Sequence, residues 1–176
     1  NLEKVEKSIN THTKVIYCES DSNPLLEVAD IKSLAKIAKK HNLQLVIDNT
    51  FSPLSLAPAL LGADVVIHSL TKFINGTSDT VAGVICGTSK FIASLRNVND
   101  GACMRLGPVM DSLRSASVLK NMHTLPIRIK KHSENALYLA QKFEKDGIKM
   151  IYPGLSSHPQ HTLFKDLYNE EYGFGG

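Results

Sequence analysis

Three stretches of this sequence end apolar runs with groups that can do chemistry. "VVIHSLTK" (65–72) closes on Ser69, Thr71 and Lys72, and "LQLVIDNT" (43–50) on Asp48, Asn49 and Thr50. "KVIYCESDSNP" (14–24) runs out through Glu19 to Asn23. If the runs are neighbouring parallel strands, these groups share one rim, because ligands of open parallel sheets collect beyond the strands' carboxyl ends. An amine, a carboxylate and hydroxyls on one rim suit pyridoxal phosphate. That cofactor needs a lysine for an internal Schiff base and a carboxylate that keeps the ring nitrogen protonated and the ring electron-accepting. Its phosphate needs hydroxyl and backbone N–H donors. Lys72, Asp48 and the pair Ser69/Thr71 could fill those roles in order. Singly, each residue also reads as ordinary turn or surface chemistry, so from residue types alone both readings stay open.

The elements that must position these residues alternate. Strand-like runs cover 14–19, 43–48, 63–69 and 80–87. A helix follows the first, with Asp30 as N-cap, Ile31, Leu34, Ala35 and Ala38 on one face, and Asn42 just past its end. Thr88 caps a short helix over "SKFIASLRN". Runs that are apolar on successive residues, separated by helix-length segments, predict a mainly parallel sheet covered on both faces. Beyond residue 100, "GPVMDSLRSASVLKNM" reads as a helix starting near Pro108. A longer one runs from about Pro126 to Asp146, with Ile129, Ala136, Leu139, Ala140 and Phe143 on one stripe and Gly147 at its stop. "IKMIYPG" reads as a strand entering a second lobe, which places a domain boundary near 146.

Composition narrows the class. The 176 residues are 43% apolar and 21% charged, enough for a sizeable core. No run approaches the roughly 18 apolar residues of a membrane span, and no charged-then-apolar leader opens the chain, so the reading is cytoplasmic with no membrane partner. The net charge of +3 is scattered. Its densest patch, "RIKKH" at 128–132, reads as a solvated helix face, and no nucleic-acid partner is expected. Cys18, Cys86 and Cys103 lack any C-x-x-C pairing and read as structural thiols in a reducing compartment. His158 and His161 have no Cys or acidic partner nearby, and no metal is expected.

Longer segments resemble a known family. "ESDSNP" (19–24) is similar to the E-S-P-S-N-P segment of the Cys/Met-metabolism family of pyridoxal-phosphate enzymes. "VIDNTFSPLSLAPALLGADVVIHSLTKFINGTSD" (46–79) resembles its V-D-N-T-F…GAD-V-V-x-H-S-x-[ST]-K block, and "GIKMIYPGLSSHPQH" (147–161) its Y-P-G-L-x-S-H-P-x-H segment. The resemblance covers essentially the whole chain. It implies an α/β fold: the three-layer, mainly parallel sheet of the aspartate aminotransferase-like (type I) fold, followed by the start of a smaller α+β domain. Residues 1–146 would belong to the large cofactor-binding domain with its exit helix, and 147–176 would open the small one.

Carried over residue by residue, the resemblance makes Lys72 the Schiff-base lysine and proton shuttle. Asp48 becomes the partner of the pyridinium nitrogen, Ser69 and Thr71 contacts of the cofactor phosphate, and Asn23 a neighbour of the ring hydroxyl. It implies a lyase acting on a small sulfur amino acid, in a homo-oligomer built as a dimer of dimers. "RLGPVMDS" (105–112), "HPQHTLFKD" (158–166) and "YGFGG" (172–176) look most like the methionine γ-lyase branch. Cystathionine γ-synthase, cystathionine γ- or β-lyase and O-acetylhomoserine sulfhydrylase are the alternatives, with a non-catalytic relative beyond them. Two positions depart from the family pattern: Asp21 replaces a proline, and Thr77 stands where His or Gly is common. The resemblance also implies that the ring-stacking aromatic, the Gly-bearing phosphate loop and the arginine for the substrate carboxylate lie outside these residues.

Overall fold

The computed structural model describes residues 1–176. Four strands form one sheet in the order β1 (Val15–Glu19), β2 (Gln44–Asp48), β3 (Val65–Ser69) and β4 (Gly83–Gly87). The first three are parallel and β4 returns antiparallel, so the sheet is mainly parallel. Glu19 aligns with Asp48, and Asp48 with Ile67, which brings the three strand ends to one rim.

Between the strands, α2 (Ile31–Lys40) starts where its sequence signals say it should. The Asp30 carboxylate accepts from the backbone N–H of Ser33 at 3.0 Å, filling one of the open donors of the first turn. Asn42, at φ +53°, follows the helix. Its apolar face closes over one side of the sheet: Ile31, Leu45 and Ile47 are completely buried, with Ile16, Leu34 and Ala38 beside them. Each fully buried aliphatic side chain contributes about 1.5–3 kcal/mol. The cover expected on the opposite face is thinner, since Val15, Tyr17 and Ile85 on that face are exposed. A short N-terminal helix, α1 (Leu2–Ser8), lies against α2 through Leu2 and Val5. No helix is long and apolar enough to cross a membrane.

The Thr88 cap holds as read, its hydroxyl accepting from Phe91 at the start of α3 (Ser89–Leu95). The helix expected from Pro108 starts four residues later, and a separate short helix precedes it. A short α4 (Ala102–Leu106) is ended by Gly107 at φ +67°, and α5 (Ser112–Met122) begins only after Asp111, whose carboxylate accepts from Arg114 N–H at 2.9 Å. A cap outranks a preceding proline as a start signal here because it fills an open donor.

The long helix α6 runs over Leu125–Lys145. Its buried stripe is Leu125, Ile129, Ser133 and Ala140, while Leu139 and Phe143 are 50% and 40% exposed. One residue is about 100° of helix turn, so Leu139 lies well off the stripe that Ala140 occupies. Ser133 belongs there because its hydroxyl is satisfied: it donates to Tyr172 O at 2.6 Å and accepts from Gly175 N–H at 2.9 Å.

The strand expected in "IKMIYPG" is absent. Residues 148–151 are irregular, with Ile148 and Ile151 exposed. Strand propensity needs a partner ladder, and none runs alongside. Instead Tyr152 folds back, donating its hydroxyl to Gly175 O at 2.7 Å. The last segment contributes α7 (His161–Leu167), whose Phe164 and Leu167 are buried with Val28 and Leu56.

Candidate functional site

The rim is assembled by a single threonine. Side chains alternate across a sheet, so Asp48 and Ser69 project on the face opposite Ile47 and α2. Thr50, two residues past the end of β2, donates its hydroxyl to Asp48 Oδ1 at 2.6 Å and accepts the Ser69 backbone N–H at 2.8 Å. Its own backbone N–H also donates to Asp48 Oδ1, at 3.0 Å. The carboxylate therefore has one oxygen fixed, and Oδ2 faces the open side, where the Tyr17 hydroxyl donates to it at 3.3 Å. Desolvation, and then the Asp48 charge, push the Tyr17 phenol above its usual pKa.

Lys72 comes next along the chain. Residues Leu70–Ile74 form one π-helical turn, closed by Asn75 N–H on Leu70 O at 3.0 Å and broken at Lys72 (φ −90°, ψ −123°). Leu70 and Ile74 face inward with Val118, Leu125 and Ile129, which turns Lys72 outward, exposed, beyond the end of β3. Phe73 is held edge-on between Phe51 and His132, at ring-centroid distances of 6.2 and 5.9 Å.

The structure sorts the remaining sequence candidates. The Thr71 hydroxyl is engaged by Ala82, accepting its N–H at 3.0 Å and donating to its carbonyl at 3.3 Å. The Ser69 hydroxyl makes no hydrogen bond within the chain. Asn23 sits exposed on a turn whose backbone N–H donates to Glu19 Oε2 at 3.0 Å. That turn borders a cavity of about 280 Å³ shared with Asp21, Phe51 and Tyr152. Asp21 is buried, and its Oδ1 accepts from Ser20 and Ser52, both at 2.9 Å, so it ties the Asn23 turn to the turn following Asp48. Thr77 belongs to a network with Asn75, Asp79 and Asn121. His158 and His161 serve the fold: His158 Nδ1 accepts from Gln160 N–H, and His161 stacks on Phe174. Burial raises the Cys18 thiol to about 11, so it is a poor nucleophile.

The larger cavity, about 670 Å³, lies on the opposite face among Val66, His68, Val84 and Val118, away from the rim. The rim itself is open. Its donor set fits pyridoxal phosphate: a free amine, a carboxylate with one oxygen pinned and one presented, and an unengaged hydroxyl on one edge. Two residues that help build it, Thr50 and Tyr17, carry no role in the sequence reading. Thr50 stood in the strand-end trio, but only the fold shows that its hydroxyl spans β2 and β3. Arg128 divides the basic stretch at 128–132: Lys130, Lys131 and His132 are exposed, while Arg128 turns inward toward the Lys72 turn.

Comparison with known proteins places nearly the whole chain in one family. The family model described as "Cys/Met metabolism PLP-dependent enzyme" matches residues 1–174. The chain is 42% identical over 168 residues to a methionine γ-lyase of Arabidopsis thaliana, covering 96% of this chain and 38% of that protein. It is equally, 42%, identical over 166 residues to a cystathionine β-lyase of Coxiella burnetii, covering 92% of this chain and 42% of that one. The crystal structure of a cystathionine γ-lyase from Lactobacillus plantarum, complexed with L-serine, superposes with a TM-score of 0.89 at 32% identity. That match covers 99% of this chain and 45% of the neighbour. The chain thus spans less than half the length of each of these three relatives.

Proposed function

The chain belongs to the Cys/Met-metabolism family of pyridoxal-phosphate-dependent enzymes, and from that premise we propose that it carries the lysine-and-aspartate part of a carbon–sulfur lyase. The substrate would be a small sulfur amino acid, methionine first, with γ-elimination giving methanethiol, ammonia and 2-oxobutanoate. The observation that carries the reading is the hydrogen-bonded link from Asp48 through Thr50 to Ser69, one turn of chain before Lys72. In this reading residues 1–146 hold the cofactor and 147–176 begin a smaller lobe.

Bound pyridoxal phosphate supplies an electron sink for the charge left on the substrate's α-carbon. The chain's own residues would do the rest. Lys72 Nζ would hold the cofactor covalently, and the same nitrogen would be placed to take the substrate's α-proton. Asp48 Oδ2 would pair with the ring nitrogen and keep its proton in place. Thr50 holds Oδ1 and so fixes the angle at which Oδ2 is presented. Ser69 offers its hydroxyl to the phosphate. Thr71 would join it by exchanging its bonds to Ala82, and Asn23 would reach the ring hydroxyl with its amide. Assembly into a dimer of dimers is part of the same proposal.

A second reading has its own support, since the cystathionine β-lyase relative is as similar as the methionine γ-lyase. Lys72 and Asp48 would serve either reaction, so substrate tests must separate them. The full protein is loaded with pyridoxal phosphate, reduced with borohydride and digested to find the labelled lysine. The loaded enzyme is then offered methionine, cystathionine and O-acetylhomoserine in parallel. Label at Lys72 with methanethiol release from methionine supports the lyase. Label at Lys72 with turnover of cystathionine or O-acetylhomoserine alone moves the assignment within the family. Absence of label at Lys72 defeats the catalytic reading.

A further inference from the structure

We propose that Arg128 is a positioning residue for Lys72, acting through the carbonyls of the turn that carries the lysine. This rests on the reading of Lys72 above. The π turn at 70–74 ends with open carbonyl groups, as every helical turn does. The Arg128 guanidinium closes two of them, donating from Nη1 to Phe73 O at 2.5 Å and from Nη2 to Ile74 O at 2.8 Å. The same fork reaches Asn121 O at 3.2 Å from Nη2, and Nε donates to Thr124 Oγ1 at 3.1 Å. All four acceptors are neutral oxygens. The residue after Lys72 and the one after that are therefore fixed to the first turn of α6 by a rigid planar donor.

Two features of α6 show that this arrangement runs against local helix stability. A cation in the first turn opposes the helix dipole, and that turn of α6 has no acidic residue to offset it. Thr124 is placed to cap the helix, but its hydroxyl makes no cap bond. It donates to Asn121 O at 3.0 Å and receives Arg128 Nε instead. Partial burial also disfavours the guanidinium's charge. Beyond its bonds to Thr124 and to Asn121 at the end of α5, the guanidinium secures the geometry of the Phe73 and Ile74 carbonyls. The chain also leaves space for the guanidinium. A Cβ on Gly76 would come 2.5 Å from Arg128 Nη1, and Gly76 holds φ +76°. Lysine at 128 could not reproduce the clamp, because one ammonium cannot present two parallel N–H donors at a fixed spacing.

The test uses the full protein without cofactor, as wild type, Arg128→Lys and Thr124→Val. Each is incubated with pyridoxal phosphate and quenched with borohydride over time. Incorporation at Lys72 is measured by peptide mass, with exposed Lys36 as the internal reference. The pH midpoint of the visible band is recorded on the loaded forms, and unfolding temperature checks the fold. Arg128→Lys is expected to remain folded, label Lys36 normally and label Lys72 on the order of ten- to a hundredfold more slowly, the scale of sub-ångström misplacement of a reacting group. Its pH midpoint is expected to move. Thr124→Val is expected to show a smaller loss in the same direction. A folded Arg128→Lys that labels Lys72 at the wild-type rate with the wild-type midpoint overturns the proposal. If Arg128→Lys does not fold, Thr124→Val decides, and unchanged Lys72 labelling there overturns it too. Wild-type label on another lysine defeats the cofactor reading itself, and the role of Arg128 falls with it.

Discussion

The hydroxyl of Thr50 donates a hydrogen bond to Oδ1 of Asp48 at 2.6 Å, and the hydroxyl oxygen itself accepts the Ser69 N–H at 2.8 Å. One side chain thus joins the ends of β2 and β3. Replacing it with isosteric valine leaves a strand-end N–H and a carboxylate oxygen each short of a partner. Thr50→Val is expected to lose about 1–3 kcal/mol of unfolding free energy, the usual cost of an orphaned polar partner. Thr50→Ser should recover most of it. Urea titration of the three proteins without cofactor makes the comparison. A Thr50→Val protein as stable as wild type would mean that water replaces the hydroxyl at no cost.

Asp21 is a carboxylate in a place that disfavours charge. Burial raises its pKa above the usual 3.8, and the Ser52 and Ser20 hydroxyls only partly oppose the shift. Glu19 adds a like charge, and Tyr152 shares the cavity. With the folded value raised, the folded state holds the proton more tightly than the unfolded state does. The resulting stability is fully present below pH 3.8 and is lost as pH rises through the folded value. At neutral pH the buried charge is a net cost. Asp21→Asn keeps an oxygen for both serines and removes the charge. Its unfolding temperature should exceed that of wild type at neutral pH, with the gain shrinking as the buffer approaches pH 3.8. A loss at neutral pH that fades toward pH 3.8 would show that the charged bonds to Ser20 and Ser52 outweigh burial.

The network that follows the Lys72 turn makes a third test. Asn75 is 1% exposed. Its amide donates to Thr77 Oγ1 at 2.9 Å and Asp79 Oδ1 at 2.8 Å, and its oxygen accepts from Asn121 at 2.8 Å. Asn75→Ala strands three partners and should lower unfolding free energy by about 1–3 kcal/mol. Thr77→Ala, at an exposed position, should cost less. If both cost the same, solvent rather than Asn75 satisfies the network.

How far the sequence reaches depends on how local the cause is. Asp30 and Thr88 were readable as caps because a cap involves residues three apart. The strands were readable because β1 to β3 keep long apolar runs, and the position of Asp48, Ser69 and Lys72 at their ends was readable with them. The 148–152 segment misled for the opposite reason: its Ile, Met and Tyr have strand character, but only a neighbouring strand could use it. Leu139 and Phe143 misled because apolar identity does not reveal which stripe meets the core, and Ser133 shows that a polar residue can occupy it. Arg128 was out of reach altogether. In sequence it begins a basic patch; only the fold sets its guanidinium against Phe73 and Ile74.

In the proposed roles Lys72 would make a bond and Asp48 would hold a charge, so the two should fail differently when replaced. On that proposal, without the Lys72 amine nothing would anchor the cofactor covalently or take the α-proton. Lys72→Ala should lose borohydride-fixed label at this position and turnover by at least about 10³-fold, within the range of removing a positioned base. Asp48→Asn keeps an oxygen for Thr50 but cannot hold the ring nitrogen protonated. Label at Lys72 should persist while turnover falls on the order of 10²–10³-fold, the scale of losing one preorganised electrostatic partner. Paired measurement of label and turnover separates the roles. If Asp48→Asn turns over at the wild-type rate, the carboxylate is not the partner of the ring nitrogen. If it loses the label as well, Asp48 organises the rim through Thr50 before it takes any part in the chemistry.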